Sequence, residues 1–267
     1  MTSASLPQIL LKAMEALGSK VHGVGHEIGG SLLMLKETFR LAFKKPYRLR
    51  SIFQQMEFIG NQSLMIIVIC AFFIGSALSL QVGTIFVIFG AESMLGAANG
   101  KALARELSPL IAGFLLAGRV GASITAEIAT MKVNEQIDAM EAMAVDPISY
   151  LVVPRVVAGI LMLPVLVGIF NVIGQLASLL IATTIFGIAQ GTFFSRMVQV
   201  MEINDIMQGM QKAVVFGAII TLLACQFGLS ASGGAKGVGR ATTNSVVTVL
   251  LVLLLVDFII TYIQVAL

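Results

Sequence analysis

The stretch FIGNQSLMIIVICAFFIGSALSLQVGTIFVIFGA, residues 58–91, carries no charged side chain. A bilayer core of about 30 Å is crossed by about 20 apolar residues in a helix, so this run is long enough to span a membrane. The composition agrees, because 57% of the 267 residues are hydrophobic and 12% are charged, against roughly 25% charged residues in average soluble domains. The sequence therefore predicts an all-α membrane protein.

The second apolar region, residues 97–124, is interrupted by charges. Its longest uncharged part, residues 107–118, is too short to cross a bilayer alone. Arg105 and Glu106 must then either reach one membrane surface or face a polar interior. We expect a second span here in either case.

Three further spans complete the predicted set of five. Residues 156–195 are uncharged and hold either one span to about Phe186 with an external loop or a broken helix with a re-entrant piece. Spans are expected at residues 206–230 and 244–265. A glycine-rich turn separates these two, and Thr242 or Thr243 is expected to cap the fifth helix.

Residues 1–62 are predicted to form an interfacial, cytoplasmic region ahead of a five-span domain at residues 63–267. Apolar residues recur at helical spacing over residues 28–43, with Lys36, Arg40 and Lys44 on another face. This pattern predicts a helix lying in the membrane interface, or an amphipathic helix packed on a protein partner.

The distribution of cations predicts the orientation of the chain. Most of the 17 Lys and Arg residues lie in segments that share one side of the membrane with the N-terminus. The positive-inside rule places that side in the cytoplasm and the C-terminus outside. Because five spans do not divide into two inverted repeats, a second copy is the simplest way to enclose a pathway.

A polar stretch, ITAEIATMKVNEQIDAMEAMAVDP, lies between the second and third spans. Apolar and acidic residues fall on different helical faces, which predicts a short amphipathic cytoplasmic helix at about residues 126–147. It is either a solvated connector or a lever that transmits force from a soluble partner. Its charged residues are Glu127, Lys132, Glu135, Asp138, Glu141 and Asp146.

Catalytic and metal-binding motifs are not found in the sequence. The two histidines, His22 and His26, precede the first span, and Cys70 and Cys225 lie in separate apolar runs. An intramembrane Ser/His site or an HExxH zinc site therefore lacks its residues. We predict no catalytic residue, no metal site and no enzymatic activity.

Residues 105–155, RELSPLIAGFLLAGRVGASITAEIATMKVNEQIDAMEAMAVDPISYLVVPR, resemble the signature region of MlaE/YrbE-type permeases. A second match is GVGRATTNSVV, residues 237–247. The resemblance implies a homodimeric permease subunit of an ABC transporter in a bacterial inner membrane, with the polar helix docked on a cytoplasmic ATPase. It also implies a periplasmic MCE-domain protein and, in many systems, a STAS-domain subunit as partners. Since the chain has no GxxxxGK[ST] loop, ATP and Mg are expected on the ATPase.

The resemblance also implies that Arg105, Glu106 and Lys212 line a lipid cavity. Glu106 would orient Arg105, whose guanidinium suits a lipid phosphate. The alternatives are an Arg/Glu pair that anchors the span and a lysine that extends to the membrane surface. Structural roles are expected for Arg119, Arg240 and Asp257. Asp257 lies deep in the fifth span and requires a partner, either through a hydrogen bond to a neighbouring helix or in a proton relay.

These observations lead us to expect a permease that moves phospholipid between the inner membrane and a periplasmic MCE carrier. The alternatives are a permease for sterol or another hydrophobic cargo, an ATP-independent secondary transporter, and a membrane scaffold. No nucleic-acid partner is expected.

Overall fold

The computed structural model of this chain describes residues 34, 36–38, 40–41 and 48–266. Within these residues the fold is helical, without strands, and five of its helices are long and apolar enough to cross a membrane. The predicted all-α, five-span architecture is thus confirmed. The predicted interfacial helix at residues 28–43 lies mainly outside the described residues. The helices are α1 (Leu49–Ile88), α2 (Glu92–Val133), α3 (Gln136–Ala142), α4 (Ile148–Thr184), α5 (Gln190–Val200), α6 (Ile203–Leu229) and α7 (Gly234–Ala266).

Helix α1 begins well before the predicted first span and runs without a break through the expected boundary at residues 62/63. Small side chains recur every fourth residue on its buried face, among them Ser63, Ala71, Gly75 and Ser79. This spacing lets α1 lie directly against α4, where a Cβ atom at Gly75 would collide with the backbone of Gly174.

Helix α2 is the charged second span, and it is longer than its uncharged part suggested. It opens with a 3-10 turn and contains two π-helical segments, Leu103–Leu107 and Ala117–Gly121. The turns of α2 before and after its uncharged part are packed against protein, since α1, α4, α6 and α7 all contact this helix. The charges inside this span therefore meet polar partners rather than lipid.

The polar segment after α2 does not form the single helix predicted over residues 126–147. Helix α2 continues to Val133, and the seven-residue α3 follows a turn at Asn134 and Glu135. Glu135 and Ala144 both have φ of 58°, a left-handed backbone that is uncommon outside glycine and interrupts a helix on either side. These two residues separate α3 from its neighbours.

The uncharged run at residues 156–195 holds most of the third span and the start of a separate helix. Helix α4 passes Pro164 without a break and ends at Thr184. After a turn at Gly187, which has φ of 63°, the amphipathic α5 packs across the start of α2. The span-plus-loop alternative therefore holds, with a helix at the end of the loop.

Helix α7 begins ten residues earlier than predicted. Gly233 and Gly234 make the turn, and the rest of the glycine-rich segment is already helical. The hydroxyls of Thr242 and Thr243 donate to the carbonyls of Val238 and Gly239 four residues back. The predicted helix cap at these threonines is wrong.

The two ends of the five-helix bundle carry different short helices. One end carries α5 and the loop after α1, and we call it the α5 end. The other carries the short polar helix α3, and we call it the α3 end. Helices α2 and α6 run parallel from the α5 end to the α3 end, with Ala104 against Gly209 and Thr125 against Ala224.

Candidate functional site

A group of charged side chains lies between α2, α6 and α7. Lys212 of α6 has a side chain with no solvent exposure. Its ammonium donates to Glu106 Oε2 of α2 and to Thr261 Oγ1 at 2.8 Å, and lies 3.0 Å from Asp257 Oδ1. Thr261 and Asp257 belong to α7. Two carboxylates thus share one ammonium, and the group, which we call the inner cluster, ties three spans together.

The sequence places these groups side by side through a close contact between α2 and α6. A Cβ atom at Gly209 would overlap the carbonyl oxygen of Ala104, so only glycine lets the helices approach this closely. Glu106 and Lys212 follow within one turn. The expected partner of Asp257 on a neighbouring helix is therefore Lys212, and the contact is an ion pair.

A second charged group, the outer cluster, lies nearer the α5 end. The carboxylate of Asp205, at the start of α6, lies 3.4 Å from Lys101 Nζ and 3.5 Å from Arg105 NH1. Both cations belong to α2. Arg105 is thus paired with Asp205, and Glu106 with Lys212. The expected orientation of Arg105 by Glu106 is wrong, because neighbouring residues of a helix point to different neighbours.

The outer cluster is loosely bonded. Asp205 Oδ2 accepts a hydrogen bond from the Glu202 backbone N–H at 3.0 Å, and the Glu202 side chain in return caps the first turn of α6. Neither Lys101 nor Arg105 donates a hydrogen bond to any residue that the structure describes. Asp205 was missed by sequence reasoning, although Glu202 and Asp205 have the spacing of a reciprocal helix cap.

An apolar pocket of about 360 Å³ opens beside the outer cluster, between α2, α4, α5 and α6. Polar atoms contribute little to its wall, where the amide groups of Asn171 and Gln175 are the polar side chains. No sequence pattern marked it, because its wall comes from four separate helices. It is lined by Gly100, Ala104, Gly168, Asn171, Val172, Gln175, Leu176, Phe194, Met197, Met201, Ile206 and Met210.

At the α3 end, four of the six charged residues predicted to contact an ATPase have partners within the chain. Lys132 pairs with Asp138 at 2.6 Å, and Glu127 pairs with the buried Arg155 at 2.8 Å. Asp146 accepts hydrogen bonds from the backbone N–H groups that begin α4. Glu127 and Asp146 therefore position the polar segment.

The remaining two, Glu135 and Glu141, are exposed, as is Asp138 between them. Met143 is 69% exposed beside them. The exposed surface of α3 and its two flanking residues, which we call the acidic face of α3, thus carries three carboxylates and one large apolar side chain. Such a face has the chemistry of a docking surface.

The residues expected to have structural roles differ in their contacts. Arg119 donates to Ser63 Oγ at 2.6 Å and to Gln62 Oε1 at 2.7 Å, and so links α2 to α1. Arg240 is exposed on the first turns of α7. Asp257 belongs to the inner cluster.

Known proteins resemble this chain over most of its length. The family described as Permease MlaE matches residues 52–263. A probable ABC transporter permease protein of Rickettsia typhi is 44% identical over 218 residues, 82% of this chain and 84% of the relative. A similarly named protein of Rickettsia prowazekii is 39% identical over 95% of this chain and 98% of the relative. Another, of Synechocystis, is 39% identical over 80% of this chain and 82% of the relative.

Proposed function

This chain belongs to the MlaE permease family of ABC transporter permeases, and on that premise we propose that two copies of it move phospholipid between a bacterial inner membrane and a periplasmic MCE-domain carrier. The observation that carries the proposal is the presence of two charged clusters inside membrane-spanning helices. Charges are costly in that position and mark a transport path by default.

Arg105 has the chemistry to receive the phosphate of the cargo. Its guanidinium is only partly exposed, and its contact with Asp205, at 3.5 Å, leaves its N–H groups available. A planar guanidinium can donate two parallel hydrogen bonds to a phosphate, which a lysine cannot do. Asp205 then holds the guanidinium in place while the path is empty.

The inner cluster has a different role in this scheme. Lys212 is enclosed by two carboxylates and a hydroxyl, and its side chain has no solvent exposure, so its ammonium is not accessible to a phosphate. We infer that Glu106 and Lys212 act by linking α2, α6 and α7, so that these helices shift together when the lipid path opens. On this proposal Glu106 lines the path deeper in the membrane than Arg105, and the buried Lys212 lies behind it.

The acidic face of α3 is proposed to dock on a cytoplasmic ATPase, which holds the ATP and Mg. Glu135, Asp138 and Glu141 supply the charge and Met143 the apolar contact. Because the Glu127–Arg155 pair joins the end of α2 to the start of α4, movement of α3 reaches two spans at once. With α3 docked on a cytoplasmic ATPase, the α3 end and the N-terminus lie in the cytoplasm, and the α5 end and the C-terminus lie in the periplasm.

A second copy is proposed to complete the path along α7. Only Ser245, Val249 and Leu253 of this long helix are buried. Large apolar side chains on its free surface, such as Leu251 at 63% and Phe258 at 71% exposure, are available to the partner copy and to lipid. A STAS-domain subunit is a further expected member of the complex.

The test is purification of the complex with its ATPase, followed by mass spectrometry of the bound lipids. Phospholipid bound to wild type and lost in Arg105→Ala supports the proposal. Sterol or another apolar molecule in its place would redirect it to a different cargo. Lipid transfer in vesicles that lack any ATPase would instead support a secondary transporter.

The docking step has its own test. Reversing Glu135, Asp138 and Glu141 to Lys should abolish association with the ATPase. Reversing Glu92, a partly exposed acidic residue at the α5 end, is the control. Retained association in the triple variant would refute the docking role of α3.

A further inference from the structure

We propose that an anionic lipid bound at Arg105 brings a proton into the permease, and that the carboxylate of Glu106 accepts this proton. The proton uptake rests on the phosphate contact of the proposed function and adds a second ligand to it. The charges of the two clusters balance only while the lipid path is empty, and the proton restores that balance when an anion enters.

The two clusters carry opposite net charges. The outer cluster has two cations and one acid, and so carries one positive charge. The inner cluster has one cation and two acids, and so carries one negative charge. Helix α1 has no titratable side chain at this depth, and those of α4, Tyr150 and Arg155, lie toward the α3 end. The two clusters together are therefore neutral when no lipid is bound.

The clusters lie close enough for each to respond to the charge of the other. Arg105 and Glu106 are neighbours on α2, and Asp205 and Lys212 are two turns apart on α6, about 10 Å along the helix axis. At about 10 Å, with an effective dielectric constant of about 20, a new unit charge changes the proton affinity of an acid by roughly tenfold. A phosphate on Arg105 adds one negative charge beside the inner cluster, and a proton there removes one.

Glu106 is the acid of the inner cluster that is best placed to take the proton. Its side chain is 36% exposed, whereas that of Asp257 is 14% exposed, so solvent reaches Glu106 more easily. Glu106 also follows Arg105 directly in the chain. Once Glu106 is protonated, Lys212 keeps Asp257 as its single counter-ion. The most buried ion pair of the cluster thus stays neutral.

The acid of the outer cluster has other partners that remain when Arg105 contacts a phosphate. Asp205 Oδ2 accepts the Glu202 backbone N–H at 3.0 Å and lies 3.4 Å from Lys101 Nζ. Such contacts stabilise a carboxylate in its charged form. The proton is therefore expected on the inner cluster.

A polar seam between α6 and α7 connects the inner cluster to the α5 end. Thr261 Oγ1 lies 3.4 Å from Glu106 Oε2, and one turn further along α7 the Gln264 amide donates to the Gln208 carbonyl at 3.3 Å. The side-chain oxygens of Gln208 and Gln264 are buried and accept no hydrogen bond from any residue that the structure describes. Both can accept one from water. A proton from solvent thus has a polar route to Glu106, and its transfer to the carboxylate oxygen changes no other bond.

The experiment is isothermal titration calorimetry on the full chain in complex with its ATPase, in detergent and without nucleotide. The titrant is a short-chain phosphatidylglycerol below its micelle concentration. Each titration is run at one pH in two buffers whose enthalpies of ionisation differ, and the difference in heat gives the number of protons taken up per lipid. We expect uptake that approaches one proton. Lipid affinity should then fall by up to about tenfold per unit rise in pH, because binding and protonation favour each other.

Glu106→Gln removes the proton acceptor. This variant should bind the lipid with the same heat in both buffers and with an affinity that does not change with pH. Glu57→Gln, which changes an exposed acid on α1, is the matched control and should take up the proton as wild type does. Infrared difference spectra assign the site, since the carboxylic acid band that appears on lipid binding should shift when glutamate, but not aspartate, is isotope-labelled.

The possible results separate this proton uptake from the phosphate contact on which it rests. Equal heats in the two buffers for wild type would overturn the proton uptake and leave the phosphate contact intact. Lipid binding that is absent in wild type, or unchanged in Arg105→Ala, would refute both. An acid band that shifts only with labelled aspartate would overturn the assignment to Glu106. If Glu106→Gln does not fold, a wild-type lipid affinity that is independent of pH refutes the proton uptake by itself.

Discussion

Replacing Lys212 with Met should destabilise the protein far more than replacing the acid beside it. In wild type one ammonium serves the carboxylates of Glu106 and Asp257, with side-chain exposures of 36% and 14%. Lys212→Met leaves both acids without a cation. Removing one member of a buried ion pair costs about 3–5 kcal/mol. Because Glu106 is partly exposed, Asp257 should account for most of the loss, and we expect about 3 kcal/mol.

Asp257→Asn has the opposite consequence for the charge balance. It leaves one ammonium and one carboxylate, and the amide oxygen keeps a polar contact with Lys212. We therefore expect a loss of about 1 kcal/mol or less. In the double variant Lys212→Met/Asp257→Asn the uncompensated carboxylate is gone, so about half of the single-variant loss should be recovered through the coupling of neighbouring sites.

Reversible unfolding in mixed micelles, followed by circular dichroism, measures the free energy of unfolding of all three variants. Lys101→Met is the control, since its ion contact of 3.4 Å is partly exposed and such contacts are worth about 1 kcal/mol or less. If Lys212→Met proves no more destabilising than Asp257→Asn, the inner cluster is not held together by the charge of Lys212.

Three further changes test other contacts by the same unfolding measurement. Gly75→Ala should lower the free energy of unfolding by about 1–3 kcal/mol, because it forces α1 away from Gly174. Gly191→Ala is the control and should be neutral. Equal effects of the two changes would contradict the tight α1–α4 contact. Glu127→Gln should lower the free energy of unfolding by about 1–3 kcal/mol, because it leaves the guanidinium of Arg155, which is 4% exposed, with a neutral partner. An unchanged unfolding midpoint would show that water accepts the hydrogen bonds of Arg155 instead. Asn99→Ala removes the hydrogen bond of 2.7 Å to Ser178 Oγ and should cost about 1 kcal/mol, and no change would mean that Ser178 finds another partner.

The number of spans could be predicted because lipid exposure imposes a simple rule on composition. Helices α1, α4 and α7 face the bilayer over much of their length, and their long uncharged runs identify them. The start of α7 differs from the prediction because a glycine-rich segment predicts a turn, whereas most of this one, including Gly237, is helical. Gly237 is instead helical and packs its backbone against the carbonyl of Ser232.

The pairing of charges could not be predicted from spacing alone. Arg105 and Glu106 are adjacent in sequence, and only the positions of α6 and α7 decide that one meets Asp205 and the other Lys212. The need of Asp257 for a partner was predictable, because an isolated charge inside a span is costly. Its partner is 45 residues away in sequence, beyond any local pattern.

Helix α2 is a longer span than its count of apolar residues predicts. It also connects the α3 end to the rest of the bundle. Its polar side chains obtain partners from α1 through Arg119, from α6 and α7 through Glu106, and from α4 through Glu127. Protein therefore replaces water around a helix that lipid alone would not tolerate. The same contacts connect α2, which is joined to α3 by a single turn, to every other span. A load applied to the acidic face of α3 would therefore either move the spans together or break one of these contacts. The two charged clusters, which lie at the other half of α2, are the contacts that such a movement would change.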